Sequence, residues 1–152
     1  MRKIDKVRQF NKISECPQPK NPIIPKDRQE LRVKLLQEEL DELKGAIATN
    51  NLVEVLDAFC DLEYVLKGAI LEFGMKDVFD EAFNRVHESN MSKFCKTEKE
   101  ADDTAADYYK QGIACLIKQN DDLWVIKRLP DSKTLKSLYY KPVNLKDLVS
   151  NT

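Results

Sequence analysis

Glycine is scarce in this chain: Gly45, Gly68, Gly74 and Gly112 are the only four among 152 residues. Their spacing permits neither a G-x-G-x-x-G turn nor a G-x-x-x-x-G-K-[ST] loop, so the glycine-built phosphate cradles are excluded. Histidine is scarcer, with His87 alone. That removes H-E-x-x-H zinc sites and the paired E-x-x-H ligands of di-iron bundles, and with them a di-iron oxidase or metal store. The cysteines, Cys16, Cys60, Cys95 and Cys115, form no C-x-x-C pair; they read as free thiols rather than as zinc ligands or disulfides. No apolar run approaches the roughly 20 residues of a membrane span, and Met1-Arg2-Lys3 leads into Ile4-Asp5-Lys6 rather than into an apolar signal core. An excess of one charge is lacking too. With 25 basic residues against 26 acidic ones and a net charge of -1, nothing draws in a nucleic-acid backbone. These absences predict a cytoplasmic protein with no membrane or nucleic-acid partner, in which any bound metal is held by oxygen.

What the chain does have is charge, 34% of its residues, against roughly 25% in an average soluble domain. The length suits a single domain over 1–152, divided into a helical core over 26–95, an additional helix over 96–119, and a hairpin and tail over 120–152. Ile4, Val7, Phe10 and Ile13 predict a short amphipathic helix within 1–15, packing as a satellite. Four prolines between 16 and 25 make a rigid connector, because the ring blocks helix continuation. Helices are expected from Asp27, as N-cap, to about Thr49, from about Leu52 to Phe73 with Gly74 as the C-terminal cap, and over 77–88. Thr97 with Glu100 reads as a capping box opening a helix over 98 to about 118. Two β-prone runs, 123–128 and 133–140, flank the turn chemistry of Pro130-Asp131-Ser132 and predict a hairpin. The fold class is therefore all-α, an antiparallel helical bundle with a small C-terminal β-hairpin.

At about 100° per helical residue, the acids sort by face. Lys34, Gln37, Asp41 and Lys44 share the solvated side of the first long helix. Glu39 and Glu42 fall with Leu31, Leu35 and Ala46, and Glu38 sits at the edge. On the second long helix Glu54, Asp57 and Asp61 share a stripe with Ala58 and Val65, pointing into packing, while Leu56, Phe59, Leu66 and Ile70 cover the other side. Glu63 and Lys67 form an i,i+4 pair that interrupts it. Glu72 shares the azimuth of Glu54 but lies far along the axis, in a different environment. Two facing helices thus bring Glu39, Glu42, Glu54, Asp57 and Asp61 to one pocket, and Arg32, the nearest cation at a matching azimuth, is expected to reach its edge. Clustered carboxylates take up protons or bind cations, and oxygen donors suit Mg²⁺, with Mn²⁺ as the alternative.

Glu38-Glu39-Leu40-Asp41-Glu42 followed by Glu54-Val55-Leu56-Asp57 resembles the E-E-x-x-E … E-x-x-D signature of the all-α NTP pyrophosphohydrolases. That superfamily includes MazG-like enzymes, dimeric dUTPases and phosphoribosyl-ATP pyrophosphohydrolases. Asp61-Leu62-Glu63-Tyr64-Val65 resembles the D-L-x-Y-V continuation of MazG-like members, and the run from Val86 to Lys93 resembles their V-H-x-S-N-M-S-K segment. The match covers roughly residues 30 to 95. It implies Glu39, Glu42, Glu54 and Asp57 as metal ligands, with Glu38 and Asp61 supporting. Asp61 is counted with the metal set, Glu38 and Glu39 are the catalytic acids, and Asn90 and Lys93 contact the substrate. The resemblance implies a Mg²⁺-dependent hydrolase that splits the α,β bond of a nucleoside triphosphate to give a monophosphate and pyrophosphate in nucleotide-pool house-cleaning. His87 reads as a capping or packing residue and stays outside the site. The apolar side of the second long helix predicts self-association as a dimer or tetramer. The rival reading is a non-catalytic helical bundle serving as an interaction or regulatory module.

Overall fold

A computed structural model of the chain describes residues 1–150. In chain order these form α1 (Lys3–Ile13), α2 (Gln29–Ala48), α3 (Leu52–Glu72), α4 (Lys76–Met91), α5 (Glu98–Lys110), β1 (Cys115–Asn120), β2 (Leu123–Arg128) and α6 (Lys146–Val149). The helical bundle with a small antiparallel hairpin is the architecture expected from the sequence. The described residues divide into two compact units, one of residues 1–80 with 148–150, the other of residues 81–147. Among the described residues no helix is long and apolar enough to cross a membrane.

In the first unit α2 starts one residue later than expected. Its cap residue is Arg28, not Asp27, and no side chain caps it. The carbonyl of Pro25 does that work, accepting from the Arg28 and Gln29 amides at 2.9 and 2.8 Å. A short link turns the chain into α3, where the Asn51 side chain accepts from the amides of Val53 and Glu54. A cap of this kind stabilises by about 1 kcal/mol. Past the end of α3, Gly74 adopts φ +65°, and a Cβ there would lie 2.0 Å from the Asn21 carbonyl oxygen. Glycine is required twice over, by the backbone conformation and by the proline connector lying against it. That connector is tied down where the Ile23 amide donates to the Phe73 carbonyl. The satellite helix α1 buries Val7 and Asn11. Lys3 pairs with Glu63 at 2.6 Å, and Phe10 meets Tyr64 edge to face, centroids 5.8 Å apart.

The second unit departs further from expectation. Thr97 does cap α5, its oxygen accepting from the Glu100 amide, but the helix stops at Lys110 rather than near 118. Gly112, with φ +75°, ends it, and the following residues become β1. The strand partner of β2 is therefore β1, joined through Asp121 and Asp122, with Asn120 opposite Leu123. The run 133–140 is no strand and contributes a single bridge, Lys127 to Thr134. Two adjacent acids, with Asp121 at φ 50°, suit a tight strand turn, since Asn and Asp tolerate the left-handed region better than most residues. α5 packs on both strands, and Cys95, Ala101, Ala105, Cys115, Ile126 and Leu135 form the core, with Tyr108, Ile113 and Trp124 packed against it.

Candidate functional site

α2 and α3 pack along one another, with Ala46, Ala58 and Gly68 among the buried residues. Small side chains let the two backbones approach, so charged residues elsewhere on the same stripes are forced into one another's company. The two ends of this helix pair differ. At one end Glu72 is fully buried and accepts from Arg28 Nη2 at 2.8 Å and Nε at 3.1 Å, and from Arg32 Nη2. Burial pushes the Glu72 carboxyl up, but the two guanidinium groups outweigh it and hold the pKa at about 2. Gly68 makes room, for a Cβ there would lie 2.8 Å from Arg32 Nη1. Arg32 is therefore spent on Glu72, and the expectation that it reaches the edge of the acidic stripe is corrected.

At the other end no cation acts on Glu39. Burial, then the negative charges of Glu42, Asp61, Glu38 and Asp57 in that order, push the Glu39 carboxyl above its usual range. Four of the acids selected from the sequence thus act on a fifth across two helices. Their burial is less than expected: Glu39 and Asp61 are half-buried, whereas Glu38, Glu42, Glu54 and Asp57 are exposed. The reason is width. Two helices in contact bury only a narrow seam, here lined by small residues, and longer side chains on its flanks reach water. Among the described residues no three acids, thiols or imidazoles stand close enough together to hold a metal ion. In chemistry the donors still fit a hard divalent cation: all are carboxylate oxygens, and their shared field favours binding a positive charge.

The flanking assignments hold. Asp41 is solvated, with its carboxyl lowered by hydrogen bonds from Lys44 and Gln37. Glu38 pairs only loosely with Lys34, at 3.6 Å. Glu63 accepts from both Lys3 and Lys67, which holds its carboxyl at about 2. Asn90 and Lys93 lie in the second unit, Lys93 Nζ donating to Asn90 Oδ1 at 2.7 Å. His87 is exposed. Arg28, missed in the sequence, could have been found from its i,i+4 spacing to Arg32, which puts both guanidinium groups on one helical face.

The family model for phosphoribosyl-ATP pyrophosphohydrolase matches residues 7–90, more than half of the chain. The chain is also similar to an uncharacterized protein of Acanthamoeba polyphaga mimivirus, 27% identical over an alignment covering 78% of this chain and 82% of that one. The family match takes in α2 and α3 entire, with every acid of the stripe, and supports hydrolysis of a nucleotide pyrophosphate bond. On this ground the chain belongs to the phosphoribosyl-ATP pyrophosphohydrolase family.

Proposed function

We propose that the protein is a Mg²⁺-dependent nucleoside triphosphate pyrophosphohydrolase, cleaving the α,β phosphoanhydride to release a nucleoside monophosphate and pyrophosphate. The observation that carries this reading is the uncompensated acid cluster around Glu39, set in a family of pyrophosphohydrolases. Glu39, Glu42, Glu54, Asp57 and Asp61 would hold the cation, with Mn²⁺ as a substitute. When bound, a divalent cation screens the polyphosphate charge and stabilises the pyrophosphate leaving group. Glu38 and Glu39 orient the attacking water and receive its proton on a carboxylate oxygen. Water adds to phosphorus as the bridging P–O bond between the α- and β-phosphates breaks, leaving the α-phosphate on the nucleoside monophosphate and the β- and γ-phosphates in pyrophosphate. Lys93 supplies a positive charge to the phosphates, and Asn90, already fixing its ammonium, orients it.

The working form is a homo-oligomer, a dimer or a tetramer. Leu52, Leu56, Phe59 and Leu66 share one face of α3 and are 79, 66, 55 and 43% exposed; a stripe of that extent calls for cover. The house is the cytoplasm, where four free thiols persist. The rival, a non-catalytic helical module, draws on the open spacing of the acids. Pyrophosphate release from a panel of nucleoside triphosphates, with and without Mg²⁺, separates the two. Metal-dependent release is expected, and its absence across the panel favours the rival. A monomeric mass by light scattering at micromolar concentration would overturn the assembly.

A further inference from the structure

The second unit holds a cavity of about 650 Å³ between the last turn of α4 and the α5–hairpin module. Its walls are Met91, Phe94, Leu123 and Tyr139, and Glu88 and Lys141 also line it. Backbone bonds fix these walls in place. Cys95 and Trp124 exchange both amide-to-carbonyl bonds at 2.9 Å, which fixes the backbone next to Phe94 and Leu123. Ser92 Oγ accepts from the Lys141 amide at 2.8 Å, and Ser89 Oγ donates to the Lys141 carbonyl at 2.8 Å. The Glu100 carboxylate, also in the lining, is occupied by the Lys96 amide at 2.7 Å. Among the described residues the Glu88 carboxylate and the Lys141 ammonium have no side-chain partner. Lys96 also lines the cavity, and Glu88, Lys96 and Lys141 are all exposed. A mainly apolar cavity with a few charged side chains in its lining is a usual form of small-ligand site.

We propose that this cavity takes the base of a nucleotide and selects bases that carry an exocyclic amino group. Phe94, Tyr139, Met91 and Leu123 offer flat or pliable apolar surface for a heteroaromatic ring, and stacking on aromatic side chains is indifferent to base identity. Selection comes from Glu88, because an ionised carboxylate only accepts hydrogen bonds. It pairs with the amino groups of cytosine, adenine or guanine and meets the carbonyl oxygens of uracil unfavourably. Lys141 supplies a positive charge for the phosphate side of the ligand. Around α4, Asn90 stands roughly 130° from the centre of the Glu88–Met91 face at about 100° per residue, so this is a surface separate from the Asn90–Lys93 pair. The proposal rests on the nucleotide reading above for the class of ligand only, and concerns binding within the second unit.

The test is calorimetric titration of the full chain with AMP, CMP, GMP and UMP. Binding of the three amino-bearing monophosphates at least tenfold tighter than UMP is expected. Glu88→Gln, at an exposed position, should bring the four within about threefold while leaving UMP unchanged. Leu123→Trp, which fills the cavity, and Tyr139→Ala should weaken all four about tenfold, with thermal melting as the check on folding. Equal affinities in the wild type, or a preference that survives Glu88→Gln, overturn the proposal. Pocket-dependent binding without pyrophosphate release breaks the hydrolase reading and leaves the pocket. Pyrophosphate release without any monophosphate binding that Leu123→Trp weakens breaks the pocket and leaves the hydrolase.

Discussion

The α2–α3 pair carries two clusters of charge, and they are opposite in kind. At the Glu72 end one buried carboxylate meets two arginines, and its pKa is held at about 2. At the Glu39 end one half-buried carboxylate meets four others, and its pKa is raised. The first cluster is neutralised within the fold; the second keeps its excess of negative charge. Charge that the fold satisfies is architecture, and charge that it leaves unsatisfied is available for binding.

The sharpest break in this contrast is chemical. Glu54→Gln and Asp57→Asn should lower pyrophosphate release by about 100-fold or more, roughly 3 kcal/mol of barrier, while the melting temperature stays near wild type. Arg32→Leu should do the reverse in kind, costing about 3 kcal/mol of stability in a denaturant titration because Glu72 loses a buried partner. Lowering pH attacks the same cluster. A folded pKa of about 2 against an unfolded value near 4.5 means that the Glu72 contribution, on the order of 2–3 kcal/mol, is present above pH 4.5 and is lost as pH falls toward 2. Arg32→Leu should flatten that acid limb.

Glu39 has the opposite sign. Its raised folded pKa costs stability as pH rises through the unfolded value, so Glu39→Gln should stabilise the metal-free protein near neutral pH by up to about 1 kcal/mol. Mg²⁺ should then raise the melting temperature of the wild type more than that of the variant. The smallest effect belongs to Asp41→Asn. This acid is exposed and locally paired, and its loss should change stability by less than about 0.5 kcal/mol and leave turnover unaltered. Equal behaviour of Asp41→Asn and Glu54→Gln would erase the distinction between the two faces.

Periodicity and capping chemistry alone determined the long helices, the proline connector, the start of α3 at Leu52 and its end before Gly74, and which acids share a face on each helix: Glu39 with Glu42 on α2, and Glu54 with Asp57 and Asp61 on α3. These follow from local rules, because 100° per residue fixes which side chains share a face whatever the rest of the fold does. Tertiary structure decided what local rules could not reach. Cys115 to Lys118 had helical spacing, yet the strand pairing with Leu123–Arg128 claimed those residues once Gly112 had ended α5. Arg32 had the azimuth of the acidic stripe, but Glu72, 40 residues away in sequence, took its guanidinium. Whether the acids were buried also lay beyond the sequence, since azimuth gives direction and not depth. Depth depends on how far a neighbouring helix extends over the seam, and that is set by long-range packing.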